Sequence, residues 1–251
     1  MSWRIEAANP FALMRELPDV WAQTCFLRAP RDLPASHLLA ILDDIHRVVR
    51  DDGTLWLALP CRGADRHVLG LVEALGWRRP ASSRAYASAL GGGTVTLFAK
   101  RPEFHFEPRL SLIGGARRAE YPCSARGQGR DRLAALRAPR RAWCVPARGD
   151  VPARAIEWCI LASSSPRACG ICGTAWKRLP AGHGRRDRWR PACPHINDRG
   201  RCLVLEPFCG LGPVGEIAVR LQRNYLGIEH DPRVAERARR RLCRARPGAQ
   251  R

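Results

Sequence analysis

A glycine-rich turn and two carboxylates have the residue types and the spacing of a nucleoside-binding site. The turn spans 206–212 (EPFCGLG) and follows an apolar run that is typical of a buried strand. Glycines in such a turn let a ligand approach the backbone closely. A second apolar run ends near Glu229, 23 residues after Glu206, where a carboxylate can accept hydrogen bonds from ribose hydroxyls. The pattern predicts a strand–helix–strand unit that holds a nucleoside cofactor; a turn that serves only packing is the alternative.

Three cysteines and a histidine have the spacing of a tetrahedral metal site. Cys169 and Cys172 form a Cys-x-x-Cys turn, and Cys193 and His195 follow, with Cys193 21 residues after Cys172. Thiolates and imidazoles are ligands that Zn²⁺ prefers. His183 is an alternative fourth ligand, and a redox-active thiol pair is an alternative role. The favoured prediction is a structural zinc site that orders a basic finger containing Arg185, Arg186, Arg188 and Arg190.

The charge balance limits the classes of partner. The 251 residues include 43 lysines and arginines against 23 acidic residues, which gives a formal net charge of +20. Such an excess favours polyanions through counterion release, so nucleic acid is the predicted partner. High-GC coding, which enriches arginine, is the alternative explanation. The sequence contains no run of 18 apolar residues and no signal-peptide pattern at its start, so we expect a cytoplasmic protein without a membrane partner.

Alternating strand and helix patterns predict an α/β fold that positions both sites. Strands are expected at 20–27, 54–59, 94–99, 202–205 and 225–228, and helices at 5–17, 38–49, 68–75, 151–163, 214–221 and 234–244. We expect a turn at 51–53 and a surface position for His105. The segment 109–141 is rich in arginine, glycine and alanine, which predicts a basic loop, with a disordered linker as the alternative.

The glycine-rich turn resembles that of site-specific DNA amino-methyltransferases, in which it reads Asp-Pro-Phe-Cys-Gly-Ser-Gly-Thr-Thr-Gly. The resemblance implies S-adenosylmethionine as the cofactor, rather than a dinucleotide. It implies contacts to the methionine moiety from Glu206, Phe208, Gly210 and Gly212, and a contact to the ribose from Glu229. The chain has glutamate for aspartate at 206, leucine for serine at 211 and Pro-Val for Thr-Thr at 213–214. The longer acid would narrow the pocket.

The resemblance covers most of the chain. It follows the permuted order of one class, in which the catalytic half precedes the cofactor half, and it extends to phage and restriction–modification enzymes. It implies a circularly permuted, Rossmann-like α/β sheet with a small zinc-ribbon-like insertion. Asn9, in the family's opening strand and helix, is then a candidate contact to the adenine ring. The implied segments are a catalytic half (1–108), a basic loop with DNA-recognition contacts (109–141), a cofactor-closing segment (142–168), a zinc insertion (169–195) and a cofactor-binding half (196–251).

The catalytic loop departs from the family pattern Asp/Ser/Asn-Pro-Pro-Tyr. In that family a polar side chain and a carbonyl accept the amino hydrogens of a flipped base, and the aromatic ring stacks on it. The aligned positions here are Arg28, Ala29, Pro30 and Arg31. Arginine has no acceptor atom, and the loss of a stabilising acceptor typically lowers the rate by about 100- to 1000-fold.

The resemblance implies methyl transfer to the exocyclic amino group of adenine or cytosine in double-stranded DNA. Because of the altered loop, we expect activity that is weak or absent, as in a degenerate phage-derived copy. Three alternatives stay open: Asp32 supplies the missing acceptor, the protein binds DNA without catalysis through a vestigial pocket, or the substrate is RNA.

Overall fold

The structure is a computed structural model that describes residues 2–30, 32–59, 65–80, 94–107, 151, 153–179, 188–195 and 197–245. Its strands are β1 (Trp3–Ala7), β2 (Ala22–Arg28), β3 (Val49–Leu59), β4 (Thr94–Ala99), β5 (Lys177–Leu179), β6 (Arg188–Arg190), β7 (Leu203–Glu206) and β8 (Asn224–Glu229). Its helices are α1 (Pro10–Glu16), α2 (Ala35–Val48), α3 (Asp65–Ala74), α4 (Ala153–Ser163), α5 (Pro213–Arg220) and α6 (Pro232–Arg244). None of these helices has the length and apolar composition that a bilayer crossing requires.

Six strands form one sheet in the order β1-β8-β7-β2-β3-β4. All neighbours are parallel except β3 and β4, which run antiparallel at one edge. The last two strands of the sheet in chain order, β7 and β8, lie between β1 and β2. The carboxyl ends of β1, β8, β7 and β2 therefore meet at one edge, and the loops after them can build a shared site.

Helices cover both faces of the sheet, as its parallel strands require. Side chains of α4, α5 and α6 pack on one face, and side chains of α1, α2 and α3 pack on the other. The central strand β2 shows the period of two: Phe26 belongs to the first core, whereas Cys25 and Leu27 belong to the second. The predicted α/β class with a mostly parallel sheet is confirmed.

The turn predicted at 51–53 is wrong, because these residues lie inside β3. Ala22 pairs with Val49 and Thr24 pairs with Thr54, so residues 50–53 form an irregularity in the β2–β3 ladder. A Cβ on Gly53 would lie 2.7 Å from the carbonyl oxygen of Gln23, so the glycine serves close strand packing. The helix expected at 5–17 is also shorter, because residues 3–7 pair with β8.

His105 is buried, contrary to the expected surface position. Its backbone N–H donates to the carbonyl of Asp52, which holds it beneath the start of β3. Its Nε2 atom has no hydrogen-bond partner among the described residues. Burial lowers the pKa of His105 to about 4. The alternating pattern Phe104-His105-Phe106 indicates that His105 and the two phenylalanines point to opposite sides, but not which side is buried.

A buried arginine joins two helix ends. Arg223 donates from Nε to the hydroxyl of Ser164 (3.0 Å), from Nη2 to the Ser164 carbonyl (2.6 Å), and from Nη1 to the Leu221 carbonyl. Ser164 follows α4 and Leu221 caps α5, so the partial negative charges of two helix C-termini face the guanidinium. Burial lowers the pKa of Arg223 to about 10, still well above neutrality.

Replacing Arg223 with methionine is expected to lower the free energy of unfolding by about 2 to 3 kcal/mol, because two buried carbonyls lose their charged donor. Urea unfolding measures the change. Arg15→Met, at an exposed position of α1, is the matched control and should stay within about 0.5 kcal/mol of the parent. Equal effects at the two positions would contradict this role of Arg223.

Candidate cofactor site and metal centre

Three charged side chains meet at the carboxyl edge of the sheet. Arg28 ends β2, Glu206 ends β7 and Glu229 ends β8, and these strands bring the three residues to the turn at 209–210. The predicted convergence of the two carboxylates is therefore observed. Each acid, however, has a different set of partners.

Glu206 is fully buried, and both of its oxygens are bound. Arg28 donates to Oε1 from Nε (3.0 Å) and from Nη2 (2.8 Å), and Tyr225 donates its hydroxyl to Oε2 (2.6 Å). The pKa of Glu206 is raised by burial, although the charge of Arg28 and the hydrogen bond from Tyr225 oppose the increase. This acid holds protein groups together rather than facing an open pocket.

Arg28 is the counterion of that acid. Its Nη2 also donates to the carbonyl of Cys209 (2.9 Å), so one guanidinium connects the end of β2 to the glycine-rich turn. About a quarter of its side chain remains exposed, at 23%. The structure thus gives Arg28 a position inside the site, with donors only and no acceptor for an amino group.

Glu229 holds the other side of the turn. Its Oε2 accepts the N–H of Gly210 (3.0 Å), and its Oε1 accepts the N–H of Asp231 (3.0 Å). The imidazole Nδ1 of His230 lies 3.1 Å from the same Oε1. These contacts take three of the carboxylate's roughly four lone-pair directions, so Glu229 can still accept one hydrogen bond from a ligand hydroxyl.

Gly210 and Gly212, the two glycines of the turn, have different neighbours at the place where a side chain would lie. Both have left-handed backbone angles, with φ of 53° at Gly210 and 71° at Gly212. Among the residues that the structure describes, a Cβ on Gly210 would meet only Nη2 of Arg28, at 4.0 Å, so this side of Gly210 has room for a ligand. A Cβ on Gly212 would lie 3.1 Å from Leu242 and 3.2 Å from Ala238, so this glycine lets α6 pack closely. The sequence left packing open as an alternative role for the turn but did not indicate that α6 is the element that packs against Gly212.

Asn9 and Phe208 lie at the same edge of the sheet. The Oδ1 of Asn9 caps α1 by accepting the N–H groups of Phe11 (2.9 Å) and Ala12 (3.4 Å), so only its amide NH₂ is left for an adenine contact. Asn9 itself is exposed. The rings of Phe208 and Phe11 stand edge to face with centroids 6.0 Å apart, and His37 lies 5.1 Å beyond Phe11.

The loop that follows β2, which the sequence predicts to be catalytic, is only partly described. Ala29 is half-buried and Pro30 is exposed, and the carbonyl of Pro30 accepts the N–H of Leu33 (3.2 Å). Arg31 lies outside the described residues. Asp32, the alternative acceptor, is exposed.

Sequence reasoning missed Tyr225. Its ring occupies space left by two glycines, because a Cβ on Gly215 or Gly227 would lie 2.5 Å from a Tyr225 atom. The sequence does contain a signal for this contact. Gly215 lies inside a helix and Gly227 inside a strand, and glycine at such positions often marks the close approach of another group. The pKa of Tyr225 is raised by burial and by the charge of Glu206, which keeps the hydroxyl protonated as a donor.

The predicted metal ligands come together. The Sγ atoms of Cys169, Cys172 and Cys193 and a ring nitrogen of His195 all lie within 4.8 Å of one another. The N–H groups of Ile171 (3.4 Å) and Cys172 (3.5 Å) point to the Sγ of Cys169. His183 lies outside the described residues.

The Cys/His cluster lies at the amino ends of β2 and β3, whereas Glu206 and Glu229 lie at the carboxyl ends of their strands. Gln23, the second residue of β2, donates to the carbonyl of Gly173, and Arg50, the second residue of β3, donates to the carbonyl of Cys172. Five residues of strand separate Gln23 from Arg28, which corresponds to about 16 Å. A metal in this cluster is therefore remote from the carboxylates.

Comparison with known proteins supports the fold. No protein-family model and no curated protein matches the sequence. Among solved structures, TTHA0409 from Thermus thermophilus, described as a putative DNA modification methylase, matches with a TM-score of 0.56 and 14% identity over 98% of this chain and 96% of that one.

Two further structures match over similar lengths. The complex of M1.HpyAVI with SAM matches with a TM-score of 0.53 and 15% identity, covering 96% of this chain and 100% of that one. The cytosine-N4-specific PvuII DNA methyltransferase matches with a TM-score of 0.56 and 11% identity, covering 96% and 86%. The chain therefore has the same mostly parallel α/β fold as these three solved structures.

Proposed function

We propose that this chain is a DNA methyltransferase that transfers a methyl group from S-adenosylmethionine to the exocyclic amino group of adenine or cytosine in double-stranded DNA. The observation that carries the proposal is the meeting of Glu229, Gly210 and Arg28 at one edge of this fold. TTHA0409 and M1.HpyAVI, which share the fold, bind S-adenosylmethionine. In the proposal, Glu229 accepts a hydrogen bond from the ribose and Asn9 contacts the adenine ring.

The segments follow from the same proposal. Residues 1–108 form the catalytic half and 196–251 the cofactor half, in the order of the permuted class. Residues 142–168 close the cofactor site. The basic segment 109–141, the proposed DNA-recognition region, lies outside the described residues.

The proposed turnover is weak, for a reason that the site geometry supports. Arg28 stands where the family has an acceptor, and its guanidinium is bound to Glu206 and Cys209. It cannot accept the hydrogens of the target amino group, so the lone pair of that group is not directed to the methyl donor. The alternative, a DNA-binding protein that takes up cofactor without transferring a methyl group, would show binding of S-adenosylmethionine but no methyl transfer.

Calorimetry with S-adenosylmethionine tests the cofactor site. Glu229→Gln is expected to weaken binding by about tenfold, because one charge-assisted hydrogen bond becomes a neutral one. Glu73→Gln on α3 is the matched control and should bind like the parent. A tritiated-methyl assay on unmethylated duplexes, GC-rich and AT-rich, then separates a slow enzyme from a protein that only binds cofactor. If the parent does not bind S-adenosylmethionine, the proposed function is rejected.

The Cys/His cluster is proposed as a structural Zn²⁺ site. A tetrahedral site with Zn–S bonds of about 2.3 Å places its ligand atoms about 3.8 Å apart, which fits a set contained within 4.8 Å. The two N–H groups that face Cys169 would stabilise a thiolate. Because the cluster lies far from the carboxylates, Zn²⁺ would hold the insertion together and take no part in methyl transfer.

Metal analysis of the purified protein is expected to find about one zinc per chain, because four ligands close the site. Cys172→Ser should lower the zinc content, whereas Cys243→Ser, at an exposed thiol of α6, should not. A content below about 0.2 zinc per chain in the parent would reject the site.

A further inference from the structure

The insertion carries a two-stranded ribbon with an exposed basic face. β5 and β6 pair antiparallel, with Lys177 opposite Arg190 and Leu179 opposite Arg188. These four side chains are exposed, whereas Arg178 and Trp189 are half-buried on the other face. We define the basic ribbon face as Lys177, Leu179, Arg188 and Arg190.

The ribbon is held firmly at its base. β5 begins five residues after Cys172, and β6 ends three residues before Cys193, so metal ligands flank both strands. The N–H of Arg178 donates to Glu107 (3.4 Å), and the N–H of the buried Trp176 donates to the carbonyl of Arg167 (3.1 Å). The charges of the face are therefore presented at defined positions rather than on a free loop.

The charge arrangement is unfavourable for the ribbon alone. Residues directly opposite in an antiparallel pair have Cβ atoms about 5 Å apart, and like charges there are destabilising. Lys177 and Arg190 are such a pair. Among the described residues, no ion pair joins Lys177, Arg188 or Arg190 to a carboxylate. A polyanion would relieve the repulsion.

We infer that the basic ribbon face binds the phosphate backbone of duplex DNA, at a second contact separate from the cofactor edge. The choice of duplex DNA rests on the proposed function. A two-stranded ribbon has dimensions that the major groove admits, and phosphate contacts fix a protein's position without reading sequence. Because the ribbon joins the sheet at the amino ends of its strands, this contact serves affinity and not the methyl-transfer step.

The lysine content permits a direct test on the unmodified protein. Only Lys100 and Lys177 are lysines. Lys100 has 9% of its side chain exposed and donates to the carbonyl of Val49, so it reacts slowly and serves as an internal reference. Acetylation with an amine-reactive reagent, followed by mass spectrometry, therefore reports on the ribbon through Lys177.

A random-sequence duplex of about 30 base pairs is expected to slow acetylation of Lys177 by about fivefold or more, with the protection lost as salt rises from about 50 to about 200 mM. Unchanged reactivity under conditions where fluorescence anisotropy shows bound duplex would overturn the inference. Stronger protection by polyglutamate or by structured RNA than by duplex DNA would overturn it too.

A charge-matched pair of variants provides a second measurement. Lys177→Gln/Arg188→Gln/Arg190→Gln should reduce the slope of log affinity against log salt by about 2 to 3, since each phosphate contact contributes about 0.9. Arg15→Gln/Arg79→Gln/Arg101→Gln removes the same charge elsewhere and should keep the slope. Equal slopes in the two variants would overturn the inference. Neither measurement needs S-adenosylmethionine, so a failure of the proposed methyl transfer is distinguishable from a failure here.

Discussion

Arg28→Met is expected to lower the free energy of unfolding by about 3 to 5 kcal/mol, because it leaves the buried carboxylate of Glu206 without its counterion. The hydrogen bond from Tyr225 remains but carries no charge to balance the acid. Burial already raises the pKa of Glu206, and removal of Arg28 raises it further. Urea or guanidinium unfolding at neutral pH measures the loss.

The pH dependence of that variant has a defined sign. A carboxyl whose pKa is raised on folding is tolerated while it is protonated, so its penalty is absent below the unfolded value of about 4.3 and grows as the pH rises toward the folded value. The destabilisation of Arg28→Met should therefore be smaller at pH 4 than at pH 8. If Arg28→Met destabilises the protein equally at pH 4 and at pH 8, the unpaired carboxylate of Glu206 is not the cause of the destabilisation.

A second substitution distinguishes the loss of the ion pair from the loss of side-chain packing as the cause of the destabilisation. Arg28→Met/Glu206→Gln removes both charges and keeps an acceptor for Tyr225, so it should recover most of the lost stability. Arg101→Met breaks the exposed pair with Asp51 and is the control, with an expected change of less than about 1 kcal/mol. Additive effects of the two substitutions at 28 and 206 would show that these side chains are not coupled.

Restoring an acceptor in the catalytic loop is expected to raise methyl transfer by about 100- to 1000-fold over the parent chain. The substitution is Arg28→Asn/Glu206→Gln, because asparagine alone would leave the buried carboxylate of Glu206 without a counterion. The side-chain oxygen at 28 could then accept an amino hydrogen, as in the family pattern. Initial rates with tritiated S-adenosylmethionine on duplex DNA, at saturating cofactor, measure the change.

Two controls define the interpretation of that experiment. Arg28→Met/Glu206→Gln, which removes the same pair without a hydrogen-bond acceptor at 28, should show no gain. Calorimetry should find that both double variants bind S-adenosylmethionine. Robust turnover of the parent that survives Arg28→Ala would mean that the loop is not impaired and that another residue, such as Asp32, supplies the acceptor.

The residues at 28 and 206 both depart from the family pattern, and the two departures are linked because each residue is the ion-pair partner of the other. Arginine at 28 introduces a charge that needs a partner, and the longer acid at 206 reaches it with two hydrogen bonds. Taken separately along the chain, the first departure indicates a damaged loop and the second a narrowed pocket. Together they form an ion pair, and Arg28 also joins the end of β2 to the glycine-rich turn through the Cys209 carbonyl.

The sequence alone determined the features that depend on local pattern. Hydrophobic periodicity placed β2, β7, β8 and most helices within a few residues, because burial on a strand or helix repeats every two or 3.6 residues. The clustering of Cys169, Cys172, Cys193 and His195 was predictable because a Cys-x-x-Cys turn and a nearby Cys/His pair each keep two side chains close together.

Only the tertiary structure decided which distant residues meet. Arg28 and Glu206 are 178 residues apart and become neighbours because β7 and β8 lie between β1 and β2. The same order turns Gly212 toward α6 and encloses Tyr225 between two glycines. Periodicity specifies which face of an element is buried but not which element covers it, so contacts between elements depend on the strand order and could not be derived from the sequence.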